Sequence, residues 1–251
     1  PCNDRGGRTS DAGKRFGTRL PVKTNDMARF DSLEVLCTLR DTGMVPVFYH
    51  RDAATACQVL KACYEGGVRA FEFTNRGDFA CEVFAVLVRY AAAECPDMVL
   101  GVGSVVDAPT AALYLNCGAN FVVGPCFVEE VARLCNRHAV PYIPGCGTVT
   151  EIVAAQEAGC YFVKIFPAGC VGGPSFVKNV RGPLPRVRIM ATGAVEPTEE
   201  NLLSWFEAGV ACVGMGSQLF PAARIAAGEW AWITDKCRFA LGVIRECRQR
   251  K

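Results

Sequence analysis

The sequence predicts an α/β chain folded as one closed (β/α)8 (TIM) barrel. Three observations carry this. A phrase recurs in which a helix ends on glycine and runs at once into a buried strand: CYEGGVRAFEFT, NCGANFVVGP, EAGCYFVKIF and EAGVACVGMG. The strands are nearly continuous in apolar residues, as parallel strands covered by helices on the outside are. The chain of 251 residues has the length of a single barrel of this kind.

The elements follow in order. The first strand is 44–49, apolar and β-branched, and a helix over 52–64 opens on Asp52. Glycine after that helix supplies the left-handed residue that stops it. The second strand, 68–74, leads to a helix over 78–94 that opens on Asp78. Strands at 98–104, 120–124 and 140–144 alternate with helical patterns at 108–116, 128–138 and 150–157. The sixth strand, 161–166, precedes a short helix at 175–180, and the seventh, 186–191, precedes a helix over 198–208 that opens on Thr198. The eighth strand is 210–214, and an amphipathic helix over 230–248 closes the bottom or side. An open doubly wound sheet is the other architecture to weigh, but it wants a glycine-rich dinucleotide loop after the first strand, where this chain has YHRDAAT. Residues 1–26 are rich in Gly, Arg, Lys, Asp and Thr and are expected to be a disordered extension before a start near Met27, leaving 27–251 as the barrel domain.

Composition narrows the function. The chain is 51% apolar and 21% charged with a net charge of +2, which gives no reason to expect nucleic acid or a membrane surface as partner. No apolar run is long enough to span a bilayer, and the N-terminal stretch lacks the apolar core of a secretory signal. Fifteen cysteines lie scattered with no Cys-x-x-Cys pair. Neither a disulfide framework nor a zinc site reads that way, so they are expected to be small hydrophobes in a reducing cytoplasm. The two histidines, His50 and His138, are isolated. His138 sits at a helix end and reads as a solvated cation there, while His50 follows the first strand at a place from which it can touch substrate.

Chemistry in a barrel gathers at the C-terminal ends of the strands, on the lumen side. In YFVKIFPA, Phe162, Lys164 and Phe166 share one face. A lysine on the helix-facing side would be buried under a helix without an obvious carboxylate, so the lumen side is favoured. Flanked there by two phenylalanines the amine is desolvated, which favours its neutral, nucleophilic form. In AFEFTNR, Ala70, Glu72 and Thr74 share one face, and a carboxylate in a partly apolar pocket can shuttle protons. Arg76, just past the strand end, can clamp a carboxylate in bidentate fashion. A purely structural ion pair of Lys164 with Glu72 is the other reading of the same residues. The ends of the seventh and eighth strands, Thr192-Gly193-Ala194 and Gly214 to Ser217, expose backbone N–H groups where barrels of this class hold phosphate, though ordinary tight turns would look alike.

With these residues placed, the chain resembles the 2-keto-3-deoxy-6-phosphogluconate (KDPG) and 4-hydroxy-2-oxoglutarate (KHG) aldolases over about 44–220, chiefly through FEFTNR and VKIFPA. The resemblance implies a class I lyase with Lys164 as the Schiff-base lysine, Glu72 as the proton shuttle and Arg76 on the keto acid. It further implies substrate contacts from Ser104, in place of a threonine, and from Pro125 and Phe166. Thr192, Gly193, Ala194, Gly216 and Ser217 match the phosphate loops. Ala194 departs from the family's second glycine there, and its methyl is expected to crowd the phosphate or force a less open turn. The implied reaction cleaves a 6-phosphorylated 2-keto-3-deoxy sugar acid to pyruvate and an aldehyde such as glyceraldehyde 3-phosphate. It needs no metal and no cofactor, since the protonated imine is the electron sink. A homotrimer in the cytoplasm is implied as well. A phosphosugar isomerase or epimerase on the same barrel, or a catalytically silent barrel scaffold, would not need an apolar-flanked lysine.

Overall fold

A computed structural model describes residues 29–250. The expected disordered extension over 1–26 falls outside them. The strands are β1 (Met44–Phe48), β2 (Ala70–Thr74), β3 (Val99–Gly103), β4 (Val122–Val123), β5 (Tyr142–Ile143), β6 (Gly145–Cys146), β7 (Phe162–Ile165), β8 (Arg188–Thr192) and β9 (Cys212–Met215). All are paired in parallel in the order β5-β4-β3-β2-β1-β9-β8-β7-β6. β5 and β6 are two halves of one stave interrupted at Pro144. That stave is bonded on both sides: Gly124 N donates to Ile143 O at 3.2 Å, Lys164 N to Pro144 O at 2.8 Å and Phe166 N to Cys146 O at 3.2 Å. The nine segments therefore make an eight-stave closed barrel, as the repeat predicts.

The helices are α1 (Ser32–Thr42), α2 (Ala53–Glu65), α3 (Ala80–Glu94), α4 (Ala108–Asn116), α5 (Glu129–Arg137), α6 (Val149–Glu157), α7 (Gly173–Arg181), α8 (Glu199–Ala208), α9 (Ala222–Ala226) and α10 (Trp230–Gln249). Asp52 caps α2 by accepting from Thr55 N. Asp78 does not cap α3, which starts two residues later behind Phe79 in a left-handed conformation. Thr198 occupies the N-cap position of α8 without a side-chain bond to it. α1 and α9 lie outside the repeat, which does not predict them. α1 carries its own start signal, a reciprocal capping box between Asp31 and Glu34.

Alternation along the strands separates two apolar layers. Phe71, Phe73, Val163, Ile165 and Val213 pack outward under the helices. Val45, Ala70, Val99, Phe121, Ile143, Phe162, Met190 and Cys212 pack inward, together with Val35 and Leu39 of α1. α1 is thus the floor of the barrel. Burial of Leu39 alone is worth roughly 1.5–3 kcal/mol. α10, expected at the bottom or side, packs on α2 and α8 and closes the side. Its Arg248 ties the floor in place, donating to the carbonyls of Asp41 at 2.8 Å, Arg40 at 2.5 Å and Ala211 at 2.7 Å. Burial lowers the pKa of this guanidinium from its ordinary value. With the lower lumen filled, the open end is the C-terminal one. No helix among the described residues is long and apolar enough to cross a membrane.

Candidate active site

Phe162 belongs to the lumen layer, so Lys164, two residues on, points into the lumen from β7. Ala70 does the same for Glu72 on β2. Between β2 and β7 in the sheet stand β1, β9 and β8. Side chains from strands so far apart meet only across the interior, and Lys164 Nζ lies 3.8 Å from Glu72 Oε1. Both residues are buried, at 5% and 0% exposure. Nζ also lies 4.9 Å from the centroid of the Phe166 ring. Neither oxygen of Glu72 has a hydrogen-bond partner. A buried carboxylate without bonds is costly to keep, and its retention next to an amine is a mark of a working site.

Room for the pair comes from glycine. A Cβ on Gly103 would sit 1.9 Å from Glu72 Oε1. On β9, a Cβ on Gly214 would sit 2.3 Å from Thr192 Oγ1. In the upper lumen these glycines thus leave the space that Glu72 and Thr192 occupy.

Above the pair a cleft of about 510 Å³ opens at the strand ends. Arg76, Phe166, Thr192, Gly193, Ala194, Gly216 and Ser217, all singled out in the sequence, line it. Thr74 and Phe166 follow Glu72 and Lys164 by two residues on the same faces, so the pair lies one layer below the cleft. Ser104 is not among the lining residues, but its Oγ is 3.3 Å from Arg76 Nε and accepts a hydrogen bond from it. Pro125 does not line the cleft either. Its carbonyl packs against β6, where a Cβ on Gly145 would come within 2.1 Å of it. His50 stacks on Phe48 and accepts from Asp52 N at 3.1 Å, so its first task is local; His138 is exposed at the end of α5.

Two L-residues at the mouth hold left-handed backbone, Ser104 at φ 63° and Ala194 at φ 61°. Each costs roughly 1–3 kcal/mol, and such strain gathers at functional sites. Ala194 thus holds left-handed backbone in spite of its methyl. The methyl is accommodated by Gly169, where a Cβ would come within 2.6 Å of it.

Sequence reasoning missed Tyr49, Phe48, Phe220, Gln218 and Glu196, which also line the cleft. Tyr49 lies one residue past β1, and its ring packs at 5.7 Å on Phe73 of the outer layer, so the lumen-side rule applied to β2 and β7 does not find it. Tyr49 also braces the loop after β2, since a Cβ on Gly77 would lie 2.0 Å from its hydroxyl. Tyr114 holds the same loop by donating to Asn75 Oδ1 at 2.9 Å.

The KDPG and KHG aldolase profile matches residues 35–236 of the chain. A 2-dehydro-3-deoxy-phosphogluconate aldolase of Treponema pallidum (strain Nichols) is 33% identical over 206 residues, 82% of this chain and 95% of that protein. The KHG/KDPG aldolase of Escherichia coli (strain K12) is 31% identical over 198 residues, 79% of this chain and 90% of its own. Among solved structures, the KDPG aldolase of Legionella pneumophila, with pyruvate captured at low pH as a covalent carbinolamine, superposes with a TM-score of 0.73 at 26% identity. The match covers 80% of this chain and 95% of that one.

Proposed function

Because the chain belongs to the KDPG and KHG aldolase family, we propose that it cleaves its substrate through a Schiff base on Lys164. It is a lyase of the aldolase class. The observation that carries the proposed route is the buried Lys164–Glu72 pair, 3.8 Å apart across the lumen.

Lys164 Nζ attacks the ketone carbon of a 2-keto-3-deoxy acid, giving a carbinolamine. Loss of water leaves an iminium. Glu72, directly or through one water, removes the proton of the C4 hydroxyl. The C3–C4 bond then breaks; its electrons pass to the iminium, which becomes an enamine, and the aldehyde leaves. The enamine takes a proton at C3, and water hydrolyses the resulting iminium to pyruvate and free lysine. Arg76 pairs with the keto-acid carboxylate, and Ser104 holds Arg76 in place through their hydrogen bond. Phe166 covers the amine. In the Legionella enzyme pyruvate is captured as a carbinolamine, which corresponds to the last covalent intermediate of this route, and this supports it. The aldehyde half extends toward the loops after β8 and β9, where the resemblance puts a phosphate. The proposal includes a homotrimer, by resemblance, and a reducing cytoplasm, supported by cysteines that are free throughout the described residues.

The test is borohydride reduction in the presence of pyruvate. A stable adduct of one pyruvate, mapping to Lys164, is expected. An isomerase or a silent scaffold gives none, and a full turnover rate in Lys164→Arg would remove the Schiff base.

A further inference from the structure

Resting on the aldolase reading, we infer that Tyr114 and Asn75 are positioning residues for the keto-acid carboxylate, acting through Arg76 by holding the backbone that presents its guanidinium to the cleft. Tyr114 belongs to α4 and is buried, with its ring edge-on to Phe84 of α3 at 5.2 Å. Its hydroxyl donates to Asn75 Oδ1 at 2.9 Å. Thr74 and Arg76 line the cleft. Asn75, between them in the chain, turns outward to the helix layer, where Tyr114 meets it.

The backbone leaves the sheet at this point. Asn75 N donates to Gly103 O at 2.9 Å, one residue beyond β2, and Arg76 N turns back to Thr74 O at 2.9 Å. Residues 76–79 are then exposed in a row. The bond from Arg76 Nε to Ser104 Oγ is long, at 3.3 Å, and exposed, so water competes with it. The Tyr114–Asn75 bond is shorter and half-buried, and breaking it leaves polar groups with little water to replace it. Burial also raises the pKa of the Tyr114 phenol, so it remains a donor.

On the other side of Arg76 the hydroxyl of Tyr49 fills the space over Gly77, where a Cβ would come within 2.0 Å of it. Two tyrosines therefore bracket Arg76, one at the residue before it and one at the residue after. A guanidinium that grips a carboxylate with two parallel N–H bonds must lie in the carboxylate plane. A tilt of the backbone at Asn75 takes one of those two bonds away.

The experiment follows borohydride trapping over a range of pyruvate concentrations, together with KM and kcat for cleavage of a 2-keto-3-deoxy acid. Tyr114→Phe keeps the ring on Phe84 and removes only the hydroxyl. It is expected to raise both KM and the half-saturating pyruvate concentration about tenfold, the worth of one hydrogen bond, with kcat within about threefold of wild type. Asn75→Leu removes the acceptor and should give the same shift, and the two changes together no more than either alone. In an Arg76→Met background, Tyr114→Phe should add less than about twofold, because the group it positions is gone. A half-saturating concentration within about twofold of wild type in both single variants, a loss confined to kcat, or a tenfold loss that persists in the Arg76→Met background overturns this inference and leaves the Schiff-base reading standing. If Arg76→Met itself takes up pyruvate as the wild-type chain does, the carboxylate role of Arg76 falls and this inference with it. Failure of the wild-type chain to trap pyruvate on Lys164 overturns the aldolase route itself.

Discussion

Gly103→Ala adds one methyl to the lumen beside Glu72. Its Cβ would lie 1.9 Å from Oε1, 2.6 Å from Cδ and 2.8 Å from Cγ of the glutamate. An ordinary contact is about 3.5 Å, so the carboxylate must retreat by roughly 1.5 Å. Gly103 does not have the positive φ that only glycine tolerates, so the backbone itself accepts alanine. The carboxylate now 3.8 Å from Lys164 Nζ would move out of reach of the amine or of the proton it is meant to take. Misplacement on that scale costs about 100-fold in rate. Overpacking costs roughly 1–3 kcal/mol, a fall in Tm of about 2–12 °C for a chain of this size. Steady-state cleavage of a 2-keto-3-deoxy acid and thermal unfolding report the two effects. The same change made in Glu72→Ala should have almost no further effect on rate, because the atoms it strikes are gone. A Gly103→Ala enzyme within twofold of wild-type kcat would refute the claim that the position of this carboxylate limits the reaction.

Lys164→Met should abolish cleavage and cost roughly 3–5 kcal/mol in urea unfolding, because it strands a buried carboxylate; adding Glu72→Leu should recover most of the stability and none of the activity. Arg248→Met removes three bonds to backbone carbonyls that hold the floor helix, and should cost about 2–4 kcal/mol and speed hydrogen exchange in the last turn of α1. Burial pushes the thiols of Cys135, Cys146, Cys160 and Cys212 up to about 12. A raised thiol pKa means the reactive thiolate stays scarce at pH 8.5. Alkylation mapped by mass spectrometry should therefore reach the exposed Cys126 and Cys170 first and spare those four until the chain unfolds.

Much of this protein is readable before folding because its signals are local. Glycine after each helix and an apolar run after each glycine announce the βα repeat, and a repeat of that kind on one chain leaves few architectures. Period two along a strand puts Lys164 on the face of Phe162, and Glu72 on the face of Ala70, without any coordinates. The charges stand out because the neighbouring residues are apolar. α1 escaped for the converse reason: it belongs to no repeat, and its capping box, though spelled out at Asp31 and Glu34, says that a helix starts but not what the helix covers. That Leu39 and Val35 floor the barrel depends on where eight distant strands end.

Tertiary structure alone decided the rest, because each part of it is a distance between residues far apart in the chain. Lys164 and Glu72 come within 3.8 Å only once three other strands curve the sheet shut between them. Gly103 and Gly214 read as ordinary strand glycines until their missing side chains are seen to be the space that Glu72 and Thr192 occupy. The chain order names the reactive groups; closure of the barrel decides which of them can touch, since only a closed sheet turns opposite faces of distant strands toward one another.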